Sequence, residues 1–115
     1  MKPPKKVRIG CIDYTLEFHN IGGSEVNTHT NLGKCQQDPA TIIIAAPMQD
    51  GRIAVVFMHE VLHAIWNEFC LDRIEKQEGE NEESYVEILS SLITMFARDN
   101  PKAMIWYLGL LNNSG

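Results

Sequence analysis

TIIIAAPMQDGRIAVVFMHEVLHAIWNEFCL, residues 41–71, carries the decision about the fold. Its first part, Thr41-Ile42-Ile43-Ile44-Ala45, is β-branched and lies between Pro39 and Pro47, which predicts a short strand. The residues around Ile44 are apolar on both sides of the chain, so this strand is expected to be covered on both faces. From Asp50, the expected N-cap, a helix should run to about Leu71.

Upstream, Val7 to Phe18 alternates in part through Ile9, Cys11, Tyr14, Leu16 and Phe18, the pattern of a strand or of a hairpin broken near Asp13. Asn20 to Lys34 is rich in Gly, Asn, Thr and Ser and reads as a loop or a weakly paired edge. Downstream, Asp72 to Glu82 is densely charged and contains Gly79, an exposed connection. A second helix is expected from about Glu82 to Arg98, with acidic residues in the first turn where the helix dipole favours them. Asp99-Asn100-Pro101 marks a stop and a restart, with Asn100 as N-cap and Pro101 opening a last helix to about Leu111. Strands first and helices second predict an α+β fold: a small, mostly antiparallel N-terminal sheet followed by three helices.

The chain has 115 residues, which is room for one domain spanning 1–115, with residues 1–6 expected as a flexible tail. Its formal net charge is −5, which argues against nucleic-acid binding by phosphate neutralisation. The longest apolar run, Ile42 to Met48, is too short to span a bilayer, so no membrane association is expected. No apolar block follows the basic start, and Cys11, Cys35 and Cys70 form no Cys-x-x-Cys pair. Both features favour reduced thiols, buried as small hydrophobes, in a cytoplasm.

His59-Glu60-Val61-Leu62-His63 carries the chemistry. Two histidines four apart lie on one face of a helix, within reach of one ion. Glu60 lies about 100° around the helix from His59, on the flank of the same site, free to hold a water instead of the metal. Two neutral imidazoles suit Zn²⁺, which lowers the pKa of a water to near 7, and the glutamate takes the proton during attack on a carbonyl. The surrounding residues are so apolar that the helix is expected to be largely buried, and buried imidazoles and carboxylates require pairing.

A third ligand is needed. Trp66 and Phe69 stand where a metzincin would carry Gly and His, and Cys70 lies about 10 Å along the axis from His63. The candidates are therefore Glu82, Glu83 and Glu87 at the start of the second helix, brought back if that helix packs antiparallel to the first. Glu83 is favoured as the ligand, with Glu87 holding the outer nitrogen of a ligand histidine or serving as ligand itself. Glu83, Glu87, Ser90, Ser91 and Thr94 form a polar stripe, and Val86, Leu89, Leu92, Ile93 and Phe96 the apolar side. Among residues able to stabilise an oxyanion, His29 is the best placed, ahead of Tyr14, Tyr85, Tyr107 and His19. Tyr85, Trp66 and Trp106 are expected in the core.

Phe57-Met58-His59-Glu60-Val61-Leu62-His63-Ala64-Ile65, Glu82-Glu83-Ser84-Tyr85-Val86-Glu87-Ile88-Leu89 and Asp99-Asn100-Pro101 together resemble the gluzincin-like zinc metallopeptidases, in particular the minimal phage-encoded ones related to the ImmA/IrrE group. The resemblance implies a zincin-like fold, His59, His63 and Glu83 as zinc ligands, and Glu60 as general base. It also implies a sheet edge beside the cleft where a peptide or protein substrate adds as a strand. The expected function is metal-dependent peptide hydrolysis. The alternative is a non-catalytic, metal-containing interaction protein that keeps the fold; a carboxylate outside the ligand set, as Glu60 is, favours the enzyme.

Overall fold

The computed structural model describes residues 1–20, 32–71 and 82–113. Along these residues four strands, β1 (Lys6–Ile9), β2 (Ile12–Asn20), β3 (Gly33–Gln37) and β4 (Ala40–Ala46), precede three helices, α1 (Asp50–Glu68), α2 (Glu82–Asp99) and α3 (Pro101–Asn113). The α+β order holds. The strands form one sheet in the order β1-β2-β4-β3. Its two outer pairings are antiparallel, but the central pair, β2 with β4, is parallel. The sheet is therefore mixed: two of its three pairings are antiparallel, as expected, and the central one is parallel because β3 and β4 fold as a hairpin that inserts β4 beside β2 and leaves β3 at the edge.

The expected break near Asp13 is a hairpin turn at Gly10 and Cys11, with Gly10 at φ 63, a conformation that suits glycine. Pairing reaches into the stretch expected as a tail: Lys6 begins β1, and the Leu16 N–H donates to the Lys5 carbonyl. On β2, Tyr14 and Leu16 point inward and their neighbours outward, as a half-buried strand requires.

All of Thr41 to Ala45 is buried, as the apolar run predicts. Ile42 and Ile44 join Val7, Ile9, Tyr14 and Leu16 beneath the helices. Ile43 and Ala45 form a small separate cluster with Met48 on the other face. α1 lies between the sheet and α3, where Phe57 meets Trp106 edge-on at 5.1 Å and Trp106 meets Phe18 at 6.1 Å. Trp106 is thus a core residue, as expected, whereas Trp66 and Tyr85 are half-buried.

Helix boundaries shift for identifiable reasons. Gln49, not Asp50, is the N-cap of α1, and its carbonyl accepts the Arg52 and Ile53 N–H groups. Asp50 falls in the first turn, where the dipole still favours it. α1 stops three residues short of Leu71. The Leu71 N–H turns back to the Trp66 carbonyl and Cys70 to that of Asn67, with Cys70 at φ 53, which makes a Schellman ending with cysteine where glycine is usual.

Asn100 takes the N-cap position of α3, its carbonyl accepting the Met104 N–H. Its side chain does other work. Oδ1 accepts the Arg8 N–H at 2.6 Å, and Nδ2 donates to the Arg8 carbonyl at 2.8 Å and to that of Phe96 at 2.9 Å. The buried amide thereby satisfies the outer edge of β1 as another strand would.

Candidate metal centre

α1 is apolar nearly all round in sequence, but only one of its faces is covered. Ala54, Phe57, Glu60, Val61, Ala64 and Ile65 are buried. The opposite face carries Val55, 67% exposed, and Leu62, 39% exposed, together with His59 and His63, both exposed. The expectation that burial forces the two imidazoles to pair is therefore corrected. Of the three motif residues only Glu60 is buried, because β3 and the core claim one flank of the helix and leave the histidine face open.

The imidazoles nevertheless converge. His59 Nε2 and His63 Nε2 stand 3.1 Å apart, with ring centroids 4.7 Å apart and planes at 75°. Two nitrogen ligands of one tetrahedral zinc ion, each at 2.0–2.1 Å, lie roughly 3.3 Å from one another. The pair thus fits a shared divalent ion with only tenths of an ångström of adjustment, and without one it shares a single N–H···N bond whose direction depends on the tautomers.

Glu60 sits on the adjoining flank, 6% exposed, against Gly33 of β3. No described residue hydrogen-bonds its carboxylate, a costly arrangement for a buried acidic group. Burial pushes its pKa above the ordinary carboxyl value, and His59 and His63 pull it partly back. Glu60 thus stands on the helix flank next to the two converging nitrogens, near enough for both to favour its ionised form.

β3 runs over this flank of α1 and brings Cys35 to the same side. The Cys35 thiol is pushed up to about 11, first by burial and then by Glu60 and Glu68, so it stays protonated. Glu68, two turns beyond Glu60, accepts the Tyr14 hydroxyl at 2.6 Å, and burial followed by that bond raises the tyrosine pKa further. Tyr14 is therefore committed to the core and removed from the oxyanion candidates. Cys11 and Cys70 are exposed and Cys35 half-buried, which corrects the expectation of buried cysteines.

Glu82, Glu83 and Glu87 are exposed at the start of α2. α2 packs chiefly on α3 and β1, not along α1 as expected. The reason is its C-terminal half: Phe96 enters the core, and Leu92 and Met95 line a small cavity together with Arg8, Ile9, Ile65 and Phe69. Among the described residues, no group of three or more His, Cys, Asp or Glu side chains gathers to hold an ion. The structure thus converges His59 and His63, sets Glu60 on the next flank of the same helix, and leaves Glu83 and Glu87 outside any such group. The polar stripe of α2 is exposed as predicted, but so are Val86 and Ile93 from its apolar side. His29 lies outside the described residues, and His19 pairs with Glu17 at 2.8 Å.

Gly33, which meets the Glu60 flank, was not singled out by the sequence, and Cys35 was read there only as a buried thiol. The signal available was a glycine at a strand start, which marks close backbone approach. No helix among the described residues is long and apolar enough to cross a membrane. No known protein family, curated protein or solved structure matches this chain.

Proposed function

We propose that this protein is a zinc-dependent peptidase in which His59 and His63 hold the ion and Glu60 is the general base. The observation that carries this reading is the pairing of two Nε2 atoms 3.1 Å apart, next to a buried carboxylate that no described residue hydrogen-bonds. The resemblance gives Glu83 as the third ligand, with Glu87 supporting a histidine or replacing it, and either role requires α2 to leave the place it takes beside α3 and β1. A zinc ion held there supplies Lewis acidity that makes water nucleophilic near neutral pH.

The chain's own residues do the rest. Glu60 takes a proton from the attacking water as the water adds to the peptide carbonyl carbon. The same carboxyl then gives that proton to the leaving nitrogen as the C–N bond breaks, so the base is regenerated. A pKa raised by burial suits both halves of this transfer. β3 is the edge strand nearest Glu60, and whereas Asn100 covers the edge of β1, no described element covers the far side of β3. An extended peptide pairing there would run along the strand that rests on Glu60.

The non-catalytic reading draws on the exposed Val55 and Leu62 beside the histidines, an apolar strip suited to a protein partner. Glu60→Gln separates the two. The zinc-loaded protein and this variant are incubated with a proteome-derived peptide library, and cleavage is read by mass spectrometry. The peptidase reading expects defined cuts with the native chain, and loss of about 10²-fold or more in the variant with zinc retained. Equal cleavage by both proteins, or none by either, would overturn it.

A further inference from the structure

We infer that Gly33 is the positioning residue for Glu60: the bare backbone of β3 at that point is the wall against which the carboxylate rests. A Cβ at residue 33 would stand 2.6 Å from Val56 Cγ1, 2.9 Å from Glu60 Oε2 and 3.0 Å from Glu60 Cγ. Ordinary heavy-atom contacts lie at about 3.5–4.0 Å, so even a methyl group must push either the strand off the helix or the carboxylate off its place. The requirement is one of close approach. Among the described residues the glycine with positive φ is Gly10, so Gly33 is not there for its backbone conformation.

The geometry divides this contact into two separable parts. Val56 lies one turn before Glu60 on the same flank of α1, and its clash with residue 33 is a matter of packing alone. The clash with Glu60 is a matter of where a proton acceptor stands, since that carboxylate has no described hydrogen bond to return it to its position. A displacement of about 1 Å at a reacting group costs on the order of 10²-fold in rate. His59 and His63 are on the exposed face, away from residue 33, so metal binding should not feel the change. The catalytic part of this inference rests on Glu60 being the base, whereas the positional part does not.

The test compares the native chain, Val56→Ala, Gly33→Ala, and the double variant Gly33→Ala/Val56→Ala. Removing Val56 Cγ1 makes room for the strand, so the double variant is expected to melt within a few degrees of Val56→Ala even where Gly33→Ala alone folds poorly. Its crystal structure should show the Glu60 carboxylate withdrawn by about 0.5–1 Å to restore ordinary contact. On a peptide selected from the library, kcat should fall about 10- to 100-fold with KM and zinc affinity essentially unchanged. A double variant with the carboxylate in its native position, or with native kcat, would overturn the inference. If the native chain cleaves no peptide, the peptidase reading fails by itself, and the crystallographic comparison still decides whether Gly33 positions Glu60.

Discussion

Glu60 concentrates the account at the scale of a single residue. A carboxyl whose pKa is higher in the folded chain than in the unfolded one holds its proton more tightly when folded. Its contribution favours folding at low pH and is lost as pH rises through the folded value. Burial sets that direction here, against the weaker pull of His59 and His63. Above its folded value the metal-free protein carries an ionised group that burial disfavours, and there Glu60→Gln should stabilise it. We expect a gain of about 1 kcal/mol at pH 7, roughly 4 °C in melting temperature. The gain should shrink as pH falls and vanish well below the ordinary carboxyl value, where the group is protonated in both states. Thermal melts of both metal-free proteins across pH check this, and a less stable variant at pH 7 would mean that the carboxylate has a stabilising partner.

At the scale of elements, legibility followed local chemistry. β4 could be read because its β-branched run has one physical outcome, and the α2–α3 junction because Asn100 and Pro101 stop and restart a helix. β3 could not: Gly-Lys-Cys-Gln-Gln has no apolar alternation, and only pairing with β4 makes it a strand. Nor could an apolar sequence say which face of α1 is covered, so the exposure of His59 and His63 appears only in three dimensions.

The end of α1 escaped for a different reason, because the usual glycine is replaced by Cys70 in the left-handed region. A side chain there costs on the order of 1 kcal/mol relative to glycine. Cys70→Gly should accordingly raise the denaturation midpoint in urea without changing the slope. A lower midpoint would show that the cysteine side chain makes contacts worth more than the strain it causes.

At the scale of the whole molecule, the mixed sheet determines what lies near the site. Because β4 is inserted beside β2, β3 becomes the edge that covers Glu60, and α3 takes the other side of α1. The sequence motif puts His59 and His63 one turn apart on a helix, and in the folded chain their nitrogens converge, with Glu60 buried on the next flank. It could not say where α2 packs, because that depends on Phe96, Leu92 and Met95 settling near β1 and the end of α1 rather than on any local pattern.

The central claim is that His59 and His63 form a chelate, and zinc titration by calorimetry tests it most directly. The native chain should take up one zinc per molecule at pH 7, and either His59→Ala or His63→Ala should lose at least about 100-fold in affinity. Failure of the native chain to bind zinc, or binding that survives both substitutions unchanged, would contradict it.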